Sequence, residues 1–360
     1  MRDWRRAAAG HVGLLVAMTL LSACGDTEIP TGPLRPIADV PTDELVTLFE
    51  ASDVAEDTSG FGVLSAVPLP DGTALVSWDP HQPTGGDDRE PFSDPRLAVL
   101  GEGGRLDPIP WPTVDGRPVG ADAQLLTAGP NGTAYLAEYL RDLASDGPHA
   151  RILARDMAGN WRVVPVDPEV EFGFPRVAVG SDGSLYICDD TTIQRIGTDG
   201  SVSTVADVQP DNRNSDAPPV LVLQLPVPAF SVTLPAPQGI AIGPDETVYV
   251  STRTDVLAID PGGTVRLVTS LADMLAEVGA PDMVGDGVPP RPGALGIDAD
   301  GALLVSDFAQ QRIVRVTEQG STVVEVRAIL GSNGINASFS PHDDLLVKLG
   351  QWDELAAYGR

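Results

Sequence analysis

The chain has 360 residues, with 23 Lys plus Arg against 51 Asp plus Glu, and its formal net charge of −28 excludes the basic footprint that nucleic-acid binding needs. Its 38 glycines and 33 prolines argue against a helix bundle, and 42% hydrophobic residues argue against general disorder. Two cysteines exclude a disulfide scaffold and a zinc ribbon. In chain order, residues 1–24 (MRDWRRAAAGHVGLLVAMTLLSAC) come first. They join a positive segment, with Arg2, Arg5 and Arg6, to an apolar run from Val12 to Leu21. That run is too short to cross about 30 Å of hydrocarbon as a helix, so residues 1–23 read as a signal peptide.

The ending Leu21-Ser22-Ala23-Cys24 resembles the lipobox of bacterial lipoproteins. The resemblance implies that Cys24 becomes the first mature residue, carries palmitate and other acyl groups, and anchors the chain in the cell envelope. Arg5-Arg6 leaves Sec and Tat export both open. With Cys24 lipidated, Cys188 is the one remaining thiol. Residues 24–43 hold four prolines and few large apolar residues, the composition of a flexible tether.

From residue 44 onward one pattern recurs. An apolar strand leads into a Pro/Asp/Gly turn, an alternating strand, a polar break, a third strand, a glycine turn and a fourth strand. Its clearest copies are PRVAVGSDGSLYICDDTTIQRIGTDGSVSTV (175–205), PQGIAIGPDETVYVSTRTDVLAIDPGGTVRLVT (237–269) and PGALGIDADGALLVSDFAQQRIVRVTEQGSTVVE (292–325). The first turns fall at Asp71, Asn131, Asp182, Asp245, Asp300 and Asp343. Units of four short strands repeated around a ring predict an all-β fold, a six-bladed β-propeller over residues 44–360. The last copy stops after its third strand, Glu354 to Tyr358. The predicted fourth strand of that blade is therefore Glu44 to Ala51, which precedes the first blade.

Residues 292–316, with the pairs Ser306-Asp307 and Arg312-Ile313, resemble an NHL repeat. The whole ring is similar to the TolB-like class that contains NHL proteins and the SMP-30/gluconolactonase group. The latter resemblance implies a divalent cation in the central channel, held by a glutamate, asparagines and an aspartate, that polarises a lactone carbonyl. This chain departs from that set. Residues 61–63 are Phe-Gly-Val where Glu-Gly-Pro is expected, Gln238-Gly239 stands for Asn-Gly, and Gly293 or Ala294 stands for the aspartate.

In an antiparallel meander the first and third connections of each blade share one face. Those are all short here, whereas the long connections, 79–95, 139–150, 207–235 and 270–291, fall on the other face. That face is the expected binding face. Residues 219–235 are strongly apolar and read either as a contact surface or as an extended fourth strand. Residues 270–278 read as a short helix, with Ser270 and Asp273 as a near capping box. At the channel mouth the repeat places Glu138, Arg176, Gln238, Arg253 and Asn336 as ligand-binding candidates. Asp189, Asp190 and Asp307 are the candidates for a site taking Ca2+ or another divalent cation. His81, His149 and His342 sit in separate loops, without the convergence a zinc site needs. The leading expectation is a monomeric, non-catalytic scaffold. It is held at the membrane through Cys24 and binds a protein or small molecule on its loop-rich face. The alternative, implied by resemblance, is a metal-dependent lactonase or esterase.

Overall fold

The computed structural model describes residues 45–50, 62–69, 71, 73–79, 96–101, 105–119, 123–140, 149–165, 176–188, 191–208, 226–231, 233–270, 273, 292–297, 301–307, 312–317, 320–324, 336–339, 345–349 and 354–358. The signal peptide and the tether lie outside them.

Strand β1 is Leu45–Glu50. The first sheet of consecutive strands is β2 (Gly62–Pro68), β3 (Ala74–Asp79), β4 (Arg96–Leu100) and β5 (Leu106–Ile109). A two-stranded ribbon follows, β6 (Thr113–Val114) and β7 (Arg117–Pro118). The second sheet is β8 (Ala123–Ala128), β9 (Ala134–Leu140), β10 (His149–Arg155) and β11 (Trp161–Val163). The third holds β12 (Arg176–Val179), β13 (Leu185–Cys188), β14 (Thr192–Ile196) and β15 (Val202–Val208). Then come β16 (Val227–Pro228), a 3-10 turn (Ala229–Ser231) and β17 (Thr233–Leu234). The fourth sheet is β18 (Gly239–Ile242), β19 (Val248–Ser251), β20 (Asp255–Ile259) and β21 (Thr264–Ser270). The fifth is β22 (Pro292–Ile297), β23 (Leu303–Asp307), β24 (Arg312–Thr317) and β25 (Gly320–Val324). Last are β26 (Asn336–Phe339), β27 (Leu345–Leu349) and β28 (Glu354–Tyr358).

In each sheet the consecutive strands form an antiparallel meander. The first strands of successive sheets are neighbours in turn, from β2 through β8, β12, β18 and β22 to β26, and β26 also lies by β2. That is radial repetition, the architecture of a β-propeller. The sheet of β26, β27 and β28 is completed by β1, which pairs antiparallel with β28 from Leu45 opposite Tyr358 to Glu50 opposite Glu354. The N-terminal strand thus joins the C-terminal sheet by main-chain bonds.

Apolar faces of adjacent sheets meet to form the core. Leu75, Leu97, Leu136 and Leu153 fill the space between the first two sheets, and Tyr135, Ile152, Leu185 and Ile187 fill the next. Central strands are covered on both faces, which is why β20 (DVLAI) is buried at all five positions. Outer strands are covered less, and β15 is exposed at four of its seven positions.

The apolar segment that sequence left open between contact surface and strand is, in its described part, a strap. Val227 and Pro228 pair antiparallel with Val265 and Thr264, while Thr233 and Leu234 pair in parallel with Asp207 and Val208. It therefore crosses between the outer edges of the third and fourth sheets, with Ala229 and Leu234 fully buried. Residues 219–225 lie outside the described residues.

Five of the short turns share one construction. In Asp182-Gly183-Ser184 the carboxylate accepts from the Ser184 N–H at 2.8 Å and from its hydroxyl at 2.8 Å. Asp71-Gly72-Thr73, Asn131-Gly132-Thr133, Asp199-Gly200-Ser201 and Asp245-Glu246-Thr247 repeat the carboxylate- or amide-to-backbone bond. This is the Asx-turn, with a left-handed middle residue at Gly132 (φ 77°), Gly183 (φ 83°) and Gly200 (φ 82°). Glu246 holds that conformation without being glycine (φ 64°). Its side chain crosses to the third sheet, accepting from the Ser181 N–H at 3.0 Å, the Ser181 hydroxyl at 2.6 Å and the Tyr186 hydroxyl at 3.2 Å. Those bonds offset the strain of a non-glycine left-handed residue.

Three of these turn carboxylates, Asp182, Asp199 and Asp245, titrate low. At Asp182 slight burial pushes upward, but hydrogen bonds from Ser184 and Arg195 outweigh it and hold the group below the ordinary 3.8. At Asp245 burial is likewise outweighed by hydrogen bonds from Thr247. A carboxylate depressed in the folded state lends stability above its unfolded value and loses it as pH falls through the folded value. The melting temperature should accordingly be flat from neutrality to about pH 5 and then fall steadily below about pH 4. Thermal melts across that range test this. Asp182→Asn should show a shallower acid slope than the parent.

Candidate functional site

Antiparallel pairing places the turns between first and second strands, and between third and fourth strands, on one rim of the ring. The strand ends from which the long connections depart lie at the opposite rim. On that rim Glu138, near the end of β9, stands opposite Arg151 on β10 and Ala123 on β8. Its Oε2 accepts from Arg151 Nε at 2.5 Å, with the two side chains 4% and 14% exposed. Nη1 of Arg151 reaches the Val114 carbonyl of β6 at 3.4 Å, and Nη2 is buried without a hydrogen-bond partner. Val114 and Val119 pack into the core between the first and second sheets, which seats the ribbon over this pair. Asp115-Gly116, both left-handed at φ 53° and 75°, forms the ribbon's turn. Neither Arg151 nor the ribbon was expected from the repeat. An Asp-Gly dipeptide after Val114 was the available signal.

Two other candidates are brought together. Arg176 Nε donates to the Gln238 carbonyl at 2.8 Å, from the first strand of the third sheet to the entry of the fourth. The Gln238 amide N–H donates to the Ser251 carbonyl at 2.7 Å, and its side-chain amide turns back on the Ala236 and Pro237 carbonyls, each at 3.4 Å. The neighbouring positions do similar work. The Ser251 hydroxyl donates to the Gly293 carbonyl at 2.5 Å, joining the fourth sheet to the fifth. The Ser65 hydroxyl accepts from the Leu125 N–H at 3.0 Å, joining the first to the second. Polar side chains at the channel end of the inner strands therefore bind sheet to sheet.

Arg253 is exposed in the turn between β19 and β20. Asn336 opens β26 opposite Lys348, and Asp307 ends β23 opposite Arg312; the side chains of both lie outside the described part. Asp189 and Asp190 are outside the described residues. Among the described residues no three His, Cys, Asp or Glu side chains cluster as cation ligands. Cys188 is buried at the end of β13, opposite Arg176. Beyond β21, the Ser270 hydroxyl accepts from the Asp273 N–H at 3.1 Å and donates to its carboxylate at 2.6 Å. That is the expected cap, with Asp273 helical and the rest of 271–278 outside the described residues.

Among solved structures, a gluconolactonase from Xanthomonas campestris is similar over 91% of this chain and 98% of its own, at 15% identity and a TM-score of 0.51. A protein of unknown function from Bacteroides thetaiotaomicron is similar over 88% of this chain and 75% of its own, at 12% identity and a TM-score of 0.51. A virginiamycin B lyase from Staphylococcus aureus aligns over 84% of this chain and 81% of its own, at 16% identity and a TM-score of 0.45. No protein-family model and no curated protein matches the chain. The chain is a β-propeller, and the gluconolactonase and the Bacteroides protein share that fold.

Proposed function

We propose that this chain is a six-bladed propeller displayed on a lipid anchor, and that it binds a ligand or protein on the rim of its long connections without catalysis. The lipid on Cys24 and the tether of residues 24–43 would hold the ring off the envelope membrane as a monomer. The observation that supports this most is the division of labour between the rims. One carries the five described Asx-turns, and the other carries the long connections. The inner-strand polar groups at that rim, Arg176 and Ser251 among them, are spent on sheet-to-sheet bonds. A rigid scaffold with elaborated loops on one side is the usual arrangement for recognition.

A second reading is a divalent-metal lactonase with Asp189, Asp190 and Asp307 as cation ligands and Asn336 beside them. It draws on the fold shared with the Xanthomonas gluconolactonase. Thermal melts of the full chain with calcium, magnesium, manganese and zinc, each then chelated with EDTA, separate the two. A folded-state ligand raises stability by RT ln(1 + [L]/Kd). The scaffold reading expects no chelation-reversible shift and no hydrolysis of glucono-1,5-lactone. A rise of several degrees reversed by EDTA, together with lactone turnover, would overturn it.

A further inference from the structure

Resting on the reading of the long-connection rim as a binding face, we infer that the outer edge of the Arg151 guanidinium anchors the carboxylate of a small anionic ligand, with Glu138 as the positioning residue. Among the described residues three buried side-chain atoms lack a hydrogen-bond partner: Arg151 Nη2, Arg155 Nε and Gln194 Oε1. Only the first belongs to an ion pair, and that pair stands at the long-connection rim.

A guanidinium offers its N–H groups in a planar fork, and its Nη1/Nη2 edge matches the two oxygens of a carboxylate. Glu138 takes Nε and leaves that edge aside. Nη1 makes one long contact to the Val114 carbonyl, and Nη2 donates to nothing. Buried donors are normally satisfied, so an Nη2 without a partner, on a guanidinium fixed in orientation by a buried glutamate, calls for an acceptor.

Access is through the ribbon. Between Thr113 and Pro118 only Val114 is buried, and each strand of the ribbon is two residues long. So short a pair has little stability of its own and can open locally while the sheets stay intact. Arriving between the ribbon and β10, a carboxylate would replace the 3.4 Å contact with two charge-assisted bonds. Glu138 decides between anions. Beside a fixed negative charge, a singly charged carboxylate is preferred to a doubly charged phosphate.

The test is thermal melting of the full-length protein in sodium acetate and sodium propionate. Sodium chloride at equal ionic strength is the reference, and inorganic phosphate is a third anion. The carboxylates should raise the melting temperature by about 2–4 °C at roughly ten times their Kd, and phosphate should act more weakly. Arg151→Lys keeps the charge but removes the fork, and should lose the rise. Glu138→Gln removes the neighbouring charge and should tighten acetate binding about tenfold. No rise above chloride up to about 100 mM, far beyond the millimolar range of weak sites, would overturn the assignment. So would an undiminished rise in Arg151→Lys. Where that variant does not fold, unchanged or weaker acetate binding by Glu138→Gln overturns it. Failure here would leave the rim as a binding face for another ligand class. Lactone turnover would instead overturn the non-catalytic reading and leave the carboxylate site standing.

Discussion

Glu138→Ala is expected to destabilise the fold by about 3–5 kcal/mol, the range for breaking a buried ion pair from one side. The loss comes from what is left behind. Arg151 would keep a charged guanidinium 14% exposed, with Nε unpaired as well as Nη2 and only the long contact to Val114 remaining. Urea unfolding should show a lower midpoint with an unchanged slope, because the surface exposed on unfolding is the same. Replacing both partners by leucine should recover most of the loss, since a well-packed apolar pair of similar volume often replaces a buried ion pair without net cost. A Glu138→Ala variant within about 1 kcal/mol of the parent would mean that the pair is hydrated, and that Arg151 has no need of an acceptor.

The pair also marks how far the sequence could be read. Glu138 was legible as a polar residue at the end of a second strand, because its place follows from counting along the repeat. Its partner was not. Arg151 comes after the connection that joins β9 to β10, so the meeting of the two depends on a register of seven residue pairs, Leu140 opposite His149 through Ala134 opposite Arg155. Alternation says which face a residue takes, but a long connection leaves the register open. The Asx-turns are the opposite case. Asp-Gly followed by Ser or Thr carries its whole geometry within three residues, so Asp71, Asp182 and Asp199 were readable directly. Glu246 escaped for a complementary reason. It breaks the local glycine rule, and the bonds to Ser181 and Tyr186 that make this tolerable come from a residue about sixty positions away. Arg176 and Gln238 meet in the structure. What the sequence could not say is that the arginine Nε bonds to a main-chain carbonyl of the next sheet. The side chain alone does not distinguish a clasp from a recognition group, since both need a cation at the same spot.

Closing the ring through β1 has the other large consequence. Deleting residues 44–50 removes the outermost strand from the sheet of β26, β27 and β28, and leaves the full edge of β28 unpaired. The lost ladder runs over five residue pairs. At about 0.5–1.5 kcal/mol net for each hydrogen bond, the direct cost is on the order of 5 kcal/mol, a large fraction of the stability of a typical domain. A newly exposed strand edge also invites pairing between molecules, so the deletion should both melt earlier and aggregate. The geometry supplies its own rescue. Leu45 stands opposite Tyr358, so the start of β1 lies beside the end of β28. Residues 44–50 moved behind Arg360 through a short hairpin turn can therefore re-enter the same place in the same direction. This permuted chain should melt within a few degrees of the parent and stay monomeric, although its ends are now elsewhere. If the deletion melts like the parent, main-chain closure by β1 does not hold the ring. If the deletion fails and the permuted chain fails equally, the contribution lies in the covalent link from β1 to β2 and not in the ladder. Recovery by the permuted chain alone assigns the closure to the β1–β28 pairing.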